Sequence, residues 1–398
     1  MTGHPALPLL LRRDWHVATP PTPMPSDETD PRWESLVAAA LHHGVAPLLC
    51  RVLAGLPEAS VPPAIAAAAR AHLQQVAAEQ ATRVSELHTT MAILAAAGIP
   101  ALAYKGPALA VLAHASPTMR PLRDLDVVVN PGSLPRAIAA LGAEGYALHE
   151  PYSPAALKAW CRDHGQVTIS LPEHLPVDLH DRIVPRTLAV DMDHDGSFER
   201  AVPLAIGDHQ VQTFALEDTL LSICLHGTKE KWWRMLWVAD VAALVERHPE
   251  LRWDLVLARA HAAGMVRILG VGLALAERLF ATPLPPEITR SVLRDPRCLQ
   301  LAGHSLRLLH EAPDDPGSVY RLTSYHWHSR ERASDRVRYA WRTLVTPGDR
   351  HYRMLRLPDA LVRGYVALKL VHDYALEPAW NAGRRALGSR PGHKEAAS

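Results

Sequence analysis

In the stretch YKGPALAVLAHASPTMRPLRDLDVVVN, residues 104–130, two carboxylates stand one residue apart at the mouth of a pure β run. Acidic residues are depleted from strands, so Asp124 and Asp126 need a reason to head one. In an extended chain alternate side chains share a face. The two carboxylates therefore lie on one side, about 6.6–7 Å apart along the chain, and Leu125, Val127 and Val129 turn to the other. Such charges repel and resist desolvation, and a divalent cation removes the conflict. Mg²⁺ is typically held by one or two carboxylates plus substrate phosphates. The plainer reading of a lone pair of this kind is the solvated start of a strand.

Two further features favour chemistry. LPVDLHDRI sets Asp178 in another strand, with His180 on the same face by the period of two. Three carboxylates on two strands of one sheet can converge on a pair of ions about 3.5–4 Å apart. Lys105-Gly106 closes the apolar run ahead of the pair. Gly106 admits a tight strand-to-helix turn, and the N-terminus of the following helix is a ready anion site.

The elements that must position these groups follow from periodicity. Residues 1–30 read as a leading segment and a Pro-rich loop, and 31–98 as a helical region with one or two long Ala-rich helices stopped by Gly98 and Pro100. Residues 99–215 alternate short strands and helices: ALAYKG, DLDVVVN, YALHE, QVTISL, LPVDLHDRI, and two strands around Gly207-Asp208. The chain then turns helical across 216–380, beginning with LEDTLLSICLHGTKEKWWRMLWVADVAALVERH. A polar, aperiodic tail, 381–398, is expected to be disordered. The fold class is α+β, with a mixed sheet flanked by helical N-terminal and C-terminal regions.

The run YKGPALAVLAH…MRPLRDLDVVV…VDLHDRI…LSICLHGTKEKWWRMLWVADVAALV resembles a bacterial, uncharacterised nucleotidyltransferase family of the DNA polymerase β-like superfamily. The resemblance spans roughly residues 35–375 and is most specific over 102–130. It implies a polymerase β-like core in which Asp124 and Asp126 bind metal and Asp178 is the third carboxylate. Gly106 matches the turn glycine, but Lys105-Gly106 stands where Gly-Gly or Gly-Ser is usual, so Lys105 supplies charge in place of a turn hydroxyl. Arg120 matches an arginine suited to a triphosphate, and its fork fits phosphate. A salt bridge to the acidic pair is the alternative for Arg123. His226 and Lys229, one turn apart on a helix, match a segment that could hold phosphate or ribose. The alternative is a core helix with His226 satisfied by a neighbour. Asp240, set among apolar residues, reads as a structural anchor, for example to Arg234.

The implied activity is transfer of an NMP from an NTP to a hydroxyl acceptor, with release of pyrophosphate and with Mg²⁺ or Mn²⁺ as cofactor. The implied acceptor is a peptide, a protein or a small molecule; family members lie near peptide-natural-product genes, which makes a biosynthetic peptide one candidate. Phosphoryl transfer at the same site, and a regulatory protein that binds nucleotide without turnover, both stay open. Because the acidic pair should repel, Asp126→Asn is expected to leave thermal stability unchanged or raised.

Composition narrows the class. The 42 basic and 41 acidic residues leave a net charge of +1, so no global field recruits nucleic acid. Residues 321–356 hold nine arginines and three acids with interleaved aromatics, which suits either a packed amphipathic helix or single-stranded nucleic acid. Packing is favoured. Four separated cysteines make neither a zinc framework nor a disulfide scaffold. The start of the chain does not read as a signal peptide, and no apolar run reaches the roughly 18 residues of a membrane span. A reduced, cytoplasmic protein is expected. DMDHDG, 191–196, resembles a calcium loop without its closing Glu and reads as a solvated turn.

Overall fold

The computed structural model describes residues 4, 6–12, 24–57, 60–311, 321–377 and 379–380. Half of the Pro-rich loop and the whole expected disordered tail, 381–398, lie outside these residues. Seven strands are formed: β1 (Ala101–Ala103), β2 (Leu125–Val129), β3 (Ala147–Leu148), β4 (Gln166–Ser170), β5 (Val177–His180), β6 (Val202–Ile206) and β7 (His209–Thr213). They make one mixed sheet in the order β3-β4-β5-β2-β1-β7-β6. β1 runs antiparallel to β2 and parallel to β7, while β2 and β5 are parallel. The fold is α+β.

β2 lies deep in the sheet, and all five of its residues are buried. Its alternation divides two cores. Leu125, Val127 and Val129 pack into one apolar cluster, and Val128 into the other. Asp126 shares the face of Val128, so a carboxylate is forced beneath the layer that would otherwise be apolar.

The Ala-rich region forms a single helix, Pro63–Ala96, of 34 residues. Pro63 sits in its first turn, where its missing N–H leaves no bond unmade. At 1.5 Å per residue it is about 50 Å long, enough to pass the mouth of the sheet.

The helical run beginning at Leu216 breaks. Leu216–Lys229 and Met235–Arg247 are separate helices, because Lys231 (φ 55°) and Trp232 (φ 59°) turn the chain left-handed between them. The turn drives Trp232 into the core, where it is wholly buried. Gly227 makes the room: a Cβ there would lie 2.5 Å from the indole. This break lays the second helix against the helix Gly106–His114 that follows β1.

DMDHDG opens a helix instead of a solvated turn: Asp193 accepts the Gly196 N–H (3.0 Å) as the N-cap of His194–Glu199. The arginine-rich segment packs on the fold as the helices Ser324–Ser329, Ala333–Val345 and Asp349–Met354. Arg338 pairs with Asp191 and Asp335, Arg350 with Asp373 and Glu377, and Arg353 with Glu150 and Asp349. Tyr325, Tyr339 and Tyr352 are buried. Their rings are thus unavailable for stacking on bases. Among the described residues no helix is long and apolar enough to cross a membrane.

Candidate active site

Pairing of β2 with β5 sets Asp126 directly opposite Asp178 and Val128 opposite His180. Ligand atoms of Asp126, Asp178 and His180 all lie within 4.8 Å of one another. Asp124 stands one residue before β2, at the lip of the same cleft. Lys105 follows β1 at the strand-to-helix turn with φ 47°, and Gly106 follows with φ 42°. A left-handed φ is strained for lysine. The strained turn aims the ammonium at the acidic group: Lys105 Nζ donates to Asp126 Oδ1 at 3.0 Å. His180 Nε2 meets the same oxygen at 3.0 Å.

The carboxylates part company electrostatically. Burial opposes ionisation of Asp126, but the Lys105 ammonium and His180 outweigh it and hold the carboxyl well below the usual range. Asp124 has no such partner. Burial, then the charges of Asp126 and Asp178, push it up to about 6. The uncompensated repulsion of the cluster therefore sits on Asp124. This reverses the stability expected for Asp126→Asn, since that change strands Lys105 instead of relieving a repulsion.

Asp178 is held from β4, the antiparallel neighbour of β5. Gln166 Nε2 donates to its Oδ2 (2.6 Å) and Thr168 Oγ1 to its Oδ1 (2.5 Å). The reading from sequence missed both. Their signal was the period-two pattern of QVTIS paired with VDLH, legible only once the hairpin register is known.

A cleft of about 530 Å³ joins these groups. Lys105, Arg120, Asp124, Asp126, Asp178, His226 and Lys229 all line it, with Gly106 in the turn behind Lys105. Its outer wall is the long helix, through His72, Glu79, Gln80 and Arg83. A larger hollow of about 680 Å³, between His88 and His209, gathers no carboxylate, lysine or arginine.

Arg120 is buried and its Nε donates to Asp240 Oδ2 at 3.1 Å; His114 Nε2 meets the other oxygen at 3.0 Å. The anchor of Asp240 is thus Arg120 with His114, and not Arg234, whose guanidinium lies over the Trp233 ring at 4.4 Å. His226 is half-buried and meets Trp237 edge-on, ring centres 5.3 Å apart. Burial, then the charges of Lys105 and Lys229, hold its imidazole well below its ordinary pKa, so it is neutral. Lys229 reaches Glu230 at 3.3 Å.

Residues 29–281, well over half of the chain, match the family described as "Uncharacterised nucleotidyltransferase". The chain belongs to this family. One solved structure that matches the chain is titled an antigenic nucleotidyltransferase-like protein from Paracoccidioides brasiliensis. It is 14% identical, the match covers 52% of this chain and 94% of that one, and the TM-score is 0.28. Among curated proteins, none matches the chain. Membership in the family supports a general nucleotidyl-transfer activity with an NTP as substrate.

Proposed function

We propose that the chain is a Mg²⁺- or Mn²⁺-dependent nucleotidyltransferase that moves an NMP from an NTP to a hydroxyl acceptor and releases pyrophosphate. The observation that carries this reading is the register of Asp126 against Asp178, with Asp124 beside them and Lys105 turned onto the cluster. The donors fit a hard cation: they are oxygens, and the charges of Lys105 and Arg120 offset only part of what burial, Asp126 and Asp178 impose on Asp124. Asp124, Asp126 and Asp178 would hold it. When bound, the cation neutralises charge on the transferring and leaving phosphate oxygens.

The chain's own residues do the rest. Lys105, Lys229 and the buried guanidinium of Arg120 make the positive side of the cleft, where a triphosphate lies against the turn at Gly106. Neutral His226 offers a hydrogen bond to ribose or phosphate without adding charge. Asp178, oriented by Gln166 and Thr168, receives the proton of the acceptor hydroxyl. Positioning and electrostatics suffice for in-line transfer, and no covalent intermediate on the protein is needed. In this reading residues 99–215 are the catalytic core and the helical regions 31–98 and 216–380 wall the cleft. The acceptor is a peptide, a protein or a small molecule, and the enzyme works in the cytoplasm.

The test is thermal unfolding with each of the four NTPs, with and without Mg²⁺, on wild type and Asp178→Asn. A nucleotide at 100 times its Kd stabilises the fold by about 2.7 kcal/mol. A Mg²⁺-dependent shift with one nucleotide, lost in the variant, is expected. No shift with any nucleotide would remove the proposal.

A further inference from the structure

A second hollow, of about 350 Å³, lies just beyond the cleft. Ile183 lines both, so the two share a wall three residues after His180. This hollow is lined by Arg182 and Arg186 from the segment after β5, by His194, and by Arg342 from the arginine-rich helix Ala333–Val345. Two acids also line it, Asp181 and Asp191. Asp191 is taken by Arg338 at 2.7 Å, and Asp181 stands 3.7 Å from Arg182. Among the described residues, neither Arg186 nor Arg342 has a carboxylate partner within ion-pair distance.

These two cations are held close together. Arg342 donates to the backbone carbonyl of Arg186 at 3.1 Å. Most arginines of the 321–356 segment are committed to acids or backbone carbonyls elsewhere; Arg342 alone among them faces this hollow. The mutual repulsion is felt: burial, then Arg186, lowers the pKa of Arg342. His194 adds a buried Nδ1 with no hydrogen-bond partner. Two guanidinium groups with no ion-paired acid of their own, next to an orphaned ring nitrogen, are what an oxyanion completes. The volume falls near the lower end of small-molecule sites, roomy enough for more than a bare ion.

We propose that this hollow is a phosphate-binding subsite that holds a phosphomonoester group on the hydroxyl acceptor. Its assignment to the acceptor rests on the transferase reading above; the phosphate site itself does not. The acceptor phosphate sits behind Ile183, and the hydroxyl reaches Asp178 across the shared wall. This gives the arginine-rich segment a role in recognition through one residue, and it narrows the acceptor to phosphorylated molecules.

The test is calorimetric titration of the full chain, without divalent ions, using inorganic phosphate and glycerol phosphate. The proteins are wild type, Arg186→Ala, Arg342→Gln and, as control for the cleft, Lys105→Met. Arg186 is exposed, so its truncation leaves the fold intact. Both probes are expected to bind wild type and Lys105→Met equally, and at least tenfold more weakly to either arginine variant. Absence of binding to wild type, unchanged binding in both arginine variants, or loss in Lys105→Met would each overturn the site. Binding of inorganic phosphate without glycerol phosphate would overturn its role in holding an acceptor. An NTP with Mg²⁺ is then added to the phosphate-loaded protein. If phosphate binds through Arg186 and Arg342 but no NTP binds, the transferase reading and the acceptor assignment fall while the phosphate site stands.

Discussion

Asp124→Asn should make the protein more stable at neutral pH, and the opposite should hold for its neighbour. Asp124 is raised from 3.8 to about 6 by burial and by the charges of Asp126 and Asp178. A group raised in the folded state binds its proton there more tightly than in the unfolded chain, so stability falls as pH climbs from about 3.8 to about 6. Above that window the folded protein carries a penalty of about 3 kcal/mol, at about 1.36 kcal/mol for each pH unit of the rise. Asparagine keeps the shape and removes the charge, so up to that amount is recovered at pH 7, and little at pH 4. Asp126→Asn strips the partner from half-buried Lys105 and should cost roughly 3 kcal/mol. The assay is urea unfolding in a chelator, at pH 4 and pH 7, for wild type and both variants. Asp124→Asn that is neutral or destabilising at pH 7, or that leaves the pH slope of wild type in place, would refute the reasoning. So would an Asp126→Asn protein as stable as wild type.

Other consequences are as direct. Mg²⁺ affinity should fall as pH drops below about 6, because Asp124 must lose its proton to act as a ligand; titration calorimetry at pH 5 and pH 7.5 reads it, and equal affinities would remove Asp124 from the ligand set. Asp240→Ala strands buried Arg120 and should cost about 3–5 kcal/mol in chemical unfolding, with a smaller loss for Asp240→Asn. Gly227→Ala brings a methyl onto the Trp232 ring and should cost about 1–3 kcal/mol, with a red-shifted tryptophan emission if the indole is displaced. Gln166→Leu with Thr168→Val should lower turnover while nucleotide binding, read by thermal shift, is retained, because Asp178 loses both of its orienting donors.

Much of the site was legible as local pattern. A Lys-Gly turn, a DxD at a strand mouth and a third Asp in a later strand are features of consecutive residues, and the period of two puts Asp124 with Asp126 and Asp178 with His180. The strand list of 99–215 followed from the same period, broken by Gly and Pro. Partners were another matter. Arg120 and Asp240 are 120 positions apart, and nothing in their neighbourhoods distinguishes that pairing from one with the nearby Arg234. The break at Lys231 and Trp232 was hidden too, since two non-glycine residues with positive φ leave no compositional mark; packing of the indole against Gly227 selects them.

The sequence by itself determined which residues could do chemistry and which faces they share, because alternation and turn chemistry act over a few residues of backbone. The tertiary structure decided which carboxylate has its charge compensated. Lys105 reaches Asp126 only because β1 lies beside β2, and it is that contact that leaves Asp124 with the repulsion of the whole cluster. Tertiary structure alone also brought Arg186 and Arg342, from segments 156 residues apart, to one hollow beside the cleft. Charge state and convergence depend on distances in space, and a linear chain does not contain them until it has folded.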